Sequence, residues 1–578
     1  MTLSRFLVVS VAVIGLRATA QNAPPDLILL NGKVVTVDQR FTVASAVAVR
    51  DGRIVAVGES DTVVRDRGEK TRVVDLKGAT VIPGLIDSHV HPGAAMTEFD
   101  HPIPEMESVE DVLDYVAKRA KALGAGKWVQ VRQVFITRLK EPRYPTRAEL
   151  DKAAPANPVI FSTGPDASCN SLALKLSGID KDFVVKDGGA GHFEKDPATG
   201  EPTGVLRNLT RYVKYVAPES KATEDDTYRR TVELFRDYNS VGITAVGDKG
   251  AGGGSMDRYK KMRDAGDLTA RVSGSWHVDT IGPMDLLQKR IKAVAEHPLR
   301  KPDPMVQVVG IKCYLDGGML TGSAYMREPW GVSKVYGITD PEYRGVRFIP
   351  PERLLPIVRT AVENGLQFTA HSVGDGAVHT LLDAYEELKK EMPEKLAASR
   401  PNITHCNFMS KEAVERLPKL GVSCDIQPIW LWLDTRTLLG QFGYDRLRYF
   451  QPLKSIFEAG GVTGGGSDHM QKIGSLRSVN PYNPFLGMYA ATTRNARWTD
   501  KPLHPEEALS REQVLRFYTI NNARMLFRDH ETGSIEVGKF ADLAVLGKDI
   551  LTCSPEELRE MKVVRTYLGG KVVYEANK

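Results

Sequence analysis

Two histidines, His89 and His91, stand two residues apart in the run Gly84-Leu85-Ile86-Asp87-Ser88-His89-Val90-His91. On an extended chain such neighbours face the same side, so both imidazoles can meet one cation. Alone the pattern is a weak signal, since two solvent-facing histidines share it. Further along, His371 closes the run Phe368-Thr369-Ala370, His405 closes Asn402-Ile403-Thr404, and Asp468 closes Gly464-Gly465-Gly466-Ser467. Imidazole and carboxylate suit a borderline divalent metal, zinc being the expected ion, with one or two bound. A sixth candidate, Lys312, lies in the apolar stretch Gly310-Ile311-Lys312-Cys313-Tyr314. A charged ammonium there is costly to bury and must be paired, neutralised or modified. Two readings stand level: a neutral amine that captures carbon dioxide as a carbamate bridging two metals, or an ion pair with Asp468.

These six residues need a scaffold that brings their strand ends together. Short apolar runs, each followed by a polar or glycine-rich stretch and then a helical pattern, occur at 80–87, 242–247, 270–276, 308–314, 367–370, 402–405, 422–427 and 462–467. This is the signature of an α/β fold with eight βα units, a (β/α)8 TIM barrel whose catalytic groups stand at the carboxyl ends of the strands. Alternating segments between 27 and 57, and again from 541 to 574, predict a small composite β-sandwich built from both chain ends. The division expected is a leader at 1–20, sandwich strands at 21–79, the barrel at 80–510, and a helix with the remaining sandwich at 511–578. The wide gap after the first strand predicts an inserted lobe over the barrel mouth at about 100–215, helical at 109–123 and with strands at 128–134 and 158–162.

Residues 1–20 combine Arg5, an apolar run at 6–16 and the small-x-small signal Ala18-Thr19-Ala20, as in a secretory signal peptide cut before Gln21. Arg17 lies close to that cut, and an uncleaved anchor is the competing reading. Export predicts a periplasmic or secreted protein with no membrane span once the leader is removed. The net charge of +5 falls to +3 without Arg5 and Arg17, too mild and scattered for a nucleic-acid partner. Five cysteines without a CxxC pair predict buried apolar fillers. The glycine-rich rim loops lack the Gly-Lys-Ser/Thr ending of a phosphate-binding P-loop, so they read as lids. The partner is then a small-molecule substrate, and the sequence leaves room for a homo-oligomer.

The runs 81–91, 200–206, 371–377 and 533–543 resemble the amidohydrolase superfamily, specifically its family-3 branch of N-substituted formamide deformylase-like enzymes, over nearly the whole mature chain. The resemblance implies that His89, His91, His371 and His405 bind metal, that Lys312 is carbamylated as a bridging ligand, and that Asp468 is the catalytic acid/base. It implies hydrolysis of a non-peptide carbon-nitrogen bond by metal-activated hydroxide. One segment departs from the pattern: Gly164-Pro165-Asp166-Ala167-Ser168-Cys169-Asn170-Ser171 lacks the family's Gly-His and aromatic residue, which bears on substrate but not on the metal set. Tyr325, Arg494 and Asn170 are candidate substrate contacts. The competing functions are an ester, lactone or cyclic-imide hydrolase, an isomerase on the same site, or a decayed barrel acting as a binding protein.

Overall fold

A computed structural model gives the fold of residues 23–132, 134–217 and 222–577, and the expected leader at 1–20 lies outside them. Eight parallel strands follow one another round a single sheet: β1 (Leu85–Val90), β2 (Ile243–Ala251), β3 (Arg271–His277), β4 (Val306–Tyr314), β5 (Gln367–Ser372), β6 (Asn402–His405), β7 (Ser423–Ile426) and β8 (Val462–Gly465). Every neighbouring pair in this order is parallel. The fold is therefore the (β/α)8 barrel that the spacing of apolar runs predicts. Amphipathic helices such as Pro351–Glu363 and Asp375–Glu391 bury Leu354, Ile357, Leu381 and Tyr385 against it.

The seam between β8 and β1 is closed by short bonds rather than a long ladder. Asp468 N–H donates to the His89 carbonyl (2.9 Å) and His91 N–H to that of His469 (2.7 Å). Beneath them the buried Asp87 carboxylate accepts from Ser467 Oγ (2.6 Å), Ser467 N–H (3.1 Å) and His89 N–H (3.1 Å). A Cβ at Gly466 would lie 1.7 Å from Asp87 Oδ1, so the clasp requires glycine there. Lower in the seam, Asn522 donates to the carbonyls of Ile86 (2.5 Å) and Gly465 (2.7 Å) and accepts from Gly465 N–H (2.7 Å).

The first strand needs correction. Residues Thr80–Pro83 do not enter the barrel; they pair with Lys33–Val35 and with Leu543–Leu546 in the six-stranded sheet formed by the two chain ends. The chain passes from one sheet to the other at Gly84, where a Cβ would meet Thr244 Oγ1 at 2.1 Å. The uninterrupted apolar run hid this handover. A four-stranded sheet (Leu27–Leu30, Ala46–Arg50, Arg53–Gly58, Arg72–Asp75) covers the six-stranded one, and Leu29, Val47, Val34, Leu543 and Tyr567 meet in their shared core.

Between β1 and β2 lies a lobe with its own five-stranded sheet and the helix Val109–Leu123, whose start is fixed by a capping box of Ser108 and Asp111. Its expected strands are shorter than the sequence suggests, Val129–Val131 and Val159–Ser162. Lobe residues share a hydrophobic core with Met319, Trp330 and Tyr336 of the loop after β4 and Ile429 and Leu431 after β7. No helix among the described residues is long and apolar enough to cross a membrane. All five cysteines are free, four of them buried.

Because Asp87 receives three donors in a dry seam, Asp87→Ala is expected to reduce unfolding free energy by about 3 kcal/mol. Denaturant titration checks this, and a loss below about 0.5 kcal/mol would remove the clasp from the account of barrel closure.

Candidate active site

All six metal-ligand candidates line one cavity of about 340 Å³ at the carboxyl ends of the strands. At its floor His89, His405 and Asp468 each offer a donor atom, all within 4.8 Å of one another and all buried. His89 Nε2 lies 3.1 Å and His91 Nε2 3.2 Å from Asp468 Oδ1. The His371 and His405 rings are 4.4 Å apart, in edge-on contact. Lys312 is buried in β4, and its amine forms no ion pair within 4.0 Å among the described residues, Asp468 included. His405 (φ 81°) and Asp468 (φ 54°) both adopt the left-handed backbone region, a strained choice that turns each side chain inward as its strand ends.

Burial, reinforced by the neighbouring His371 and His89, holds His405 well below the usual imidazole range. Burial, then the Lys312 charge, takes His371 down to about 3. Both are therefore neutral, the form that ligates metal. Burial alone would raise Asp468, but His89 and His91 outweigh it and hold the carboxylate ionised. Lys312 is pushed down to about 7 by burial, partly offset by Asp468.

Behind the floor, β7 contributes two side chains that inspection of the sequence overlooked. Gln427 Oε1 stands 2.7 Å from His405 Nδ1, and Gln427 Nε2 donates to Asp425 Oδ1 (3.1 Å). Asp425 Oδ2 in turn lies 3.5 Å from His89 Nδ1 and 3.6 Å from Lys249 Nζ. With Gln427 accepting at Nδ1, the Nε2 lone pair of His405 is left for the cavity. The available signal was the polar pair Asp425 and Gln427 at i and i+2, flanking Ile426 at the end of β7.

The three substrate-contact candidates do not line the cavity. Asn170 caps the helix Ser171–Ser177, accepting from Ala173 N–H and Val159 N–H and donating to the Asn157 carbonyl. Arg494 is fully buried and donates to the carbonyls of Leu503, Gln451 and Phe450. Tyr325 gives its N–H to Asp316 and lies under the Arg347 guanidinium. The Asn170 and Arg494 side chains are consumed by local backbone organisation. The walls are instead supplied by Phe135, Leu320, Trp430 and Met470, with Arg132 and Gln130 from the lobe.

With this geometry in hand, comparison with known proteins decides the family. The amidohydrolase family matches residues 72–574. This chain belongs to the amidohydrolase family. An N-substituted formamide deformylase of Arthrobacter pascens is 30% identical, spanning 95% of this amidohydrolase and 98% of its own length. The Arabidopsis thaliana protein LONG AFTER FAR-RED 3 is 27% identical over 98% and 97%. Among solved structures, a metal-dependent hydrolase from Pyrococcus furiosus superposes with a TM-score of 0.63 at 21% identity, covering 91% of this chain and 100% of its own. Atrazine chlorohydrolase from Arthrobacter aurescens complexed with zinc superposes at 0.51 and 18% identity, covering 95% of each. The amidohydrolase is thus a metal-dependent hydrolase of carbon-nitrogen bonds other than peptide bonds.

Two outcomes follow from the bonding pattern. Gln427→Ala is expected to weaken metal binding about ten- to a hundredfold while the protein stays folded, as read by competition with a chelator; unchanged affinity would remove β7 from the site. Arg494→Ala is expected to reduce stability by about 3 kcal/mol by orphaning three carbonyls. In thermal unfolding this appears as a lowered midpoint, and an intact midpoint with a raised KM would return Arg494 to the substrate.

Proposed function

We propose that the enzyme hydrolyses an amide-type bond of a small molecule, with zinc held by His89, His91, Lys312, His371, His405 and Asp468 in one or two ions. The observation that carries this reading is a pair of orphaned atoms. His89 Nε2 and Asp468 Oδ1 are buried and have no hydrogen-bond partner although they are 3.1 Å apart. Two buried polar atoms aimed at each other without a bond are expensive unless a third party satisfies both, and a divalent cation does so. The donor set, imidazoles with a carboxylate, suits zinc.

Once bound, the cation supplies Lewis acidity, lowering the pKa of water towards about 7 and polarising a carbonyl. Asp468 accepts the proton of the attacking water as its oxygen adds to the carbonyl carbon. The protonated carboxyl then delivers that proton to the nitrogen as the carbon-nitrogen bond breaks, so the amine leaves neutral. Asp468 Oδ1 lies 3.1 and 3.2 Å from the Nε2 atoms of His89 and His91, and Asp468 lines the cavity where the amide must enter. Trp430, Phe135 and Leu320 restrict bulk water around the reacting atoms.

Lys312 fits a carbamate role. Its amine lies in the cavity lining without a hydrogen bond or ion pair among the described residues, and burial favours its neutral form. The neutral amine adds carbon dioxide, forms an N–C bond and loses one proton, leaving a carboxylate-like ligand on the β4 side. The 30% identical relative named as an N-substituted formamide deformylase makes N-formyl amines the first substrates to try.

Asp468→Asn is expected to keep its fold while kcat falls about a hundred- to ten-thousandfold; wild-type turnover in this variant would sink the acid/base role. Lys312→Ala is expected to lower metal content by elemental analysis, with partial recovery in millimolar short-chain carboxylate. Full metal content in the untreated variant would rule out the carbamate.

A further inference from the structure

We infer that the substrate carries a carboxylate remote from the scissile bond, and that Arg132 of the inserted lobe recognises it. This rests on the amide-hydrolase reading of the same cavity. Besides the histidines, the lining side chains with formal charge are Lys312, Asp468 and Arg132. Lys312 and Asp468 belong to the floor and are committed to the metal. Arg132 is the charge left over.

Its placement follows from strand periodicity. Trp128, Gln130 and Arg132 alternate along the extended segment around Val129–Val131, so they share one face. All three line a second cavity of about 260 Å³ beside the first, and Gln130 and Arg132 line both. In that neighbouring cavity Arg119 is already paired with Asp100 (3.2 Å). Arg132 has no hydrogen bond or ion pair among the described residues, and its side chain is exposed.

The lining also includes apolar Val134, Phe135, Leu320, Trp430 and Met470, beside polar Ser162, Thr163, Thr321 and Gln471. A cavity that combines the candidate metal ligands, several large apolar side chains and the Arg132 guanidinium is complementary to an N-acyl compound whose amine portion is an apolar chain ending in an anion. Carboxylate is the anion that the planar guanidinium fork matches with two parallel hydrogen bonds. Anchoring that end fixes the direction in which the amide enters, acyl group towards Asp468.

The test uses the full-length metal-loaded enzyme and two matched series, N-acyl ω-amino acids and N-acyl alkylamines of equal chain length. The wild type is expected to favour the carboxylate series in kcat/KM, with an optimum chain length. In Arg132→Gln the ratio of carboxylate to neutral kcat/KM is expected to fall about ten- to a hundredfold, chiefly through KM. Arg132→Lys is expected to recover part of it, and Arg132→Glu to favour N-acyl diamines instead. Equal wild-type rates on the two series, or a selectivity ratio indifferent to all three substitutions, would overturn the assignment while leaving amide hydrolysis intact. Hydrolysis of neither series by the wild type would overturn the amide reading and this inference with it.

Discussion

The site exists only because the last barrel strand is fastened to the first. His89 and His91 arrive at the end of β1 and Asp468 just beyond β8, so the distances of 3.1 and 3.2 Å that join them span the seam of the sheet. A seam held by two backbone bonds at the rim would breathe, and sub-ångström drift matters to a metal site and to a proton transfer. Asp87 and Asn522 prevent that by bridging β1 and β8 with side-chain bonds at two depths. Glycines at 464 and 466 are the counterpart: a Cβ at either would meet Asn522 Oδ1 at 2.2 Å or Asp87 Oδ1 at 1.7 Å. The glycine run before Asp468 is therefore a docking surface for two polar side chains, more than a flexible loop.

The same logic extends to β7, a strand that offers no ligand. Asp425 and Gln427 of β7 face His89 and His405 from behind, and Ser88 donates to Asp425 from β1 (3.1 Å). A buried carboxylate there needs cationic or hydrogen-bonding neighbours. Ser88 and Gln427 donate to it, and burial, which alone would raise its pKa, is outweighed by His89 and then Lys249, so that Asp425 lies below the usual carboxylate range. The floor is thus two layers thick, the inner one pointing into the cavity and the outer one fixing imidazole orientation.

The barrel was legible because its strands are short apolar runs; His371, His405 and Asp468 stand out by closing such runs. Other features leave no comparable trace. The handover at Gly84 lies within unbroken apolar sequence, so Thr80–Pro83 looked like barrel. Arg494 and Asn170 looked like ligand contacts because polar residues near a rim are ambiguous until their acceptors are known; one serves three carbonyls and the other a helix start. Asp425 and Gln427 went unnoticed because an orienting role depends on a neighbouring strand, and that adjacency is created only by the closed sheet.

The walls of the cavity are held by a different set of forces from its floor, and this separates substrate choice from chemistry. Segment 164–171 lends Gly164 and Pro165 to the lining while Asp166 is buried and accepts from Ser323 Oγ (2.5 Å) and Asn208 N–H (2.8 Å). Arg207, fully buried in the lobe, donates to the carbonyls of Thr321 and Tyr336 in the loop after β4 and pairs with Glu194 (2.8 Å). A lobe strand and a rim loop are thereby clamped together over the mouth by ionic and backbone bonds that reach none of the floor residues. Such an arrangement lets the lobe present new side chains to the cavity, Arg132 among them, without disturbing the seam on which the metal site depends.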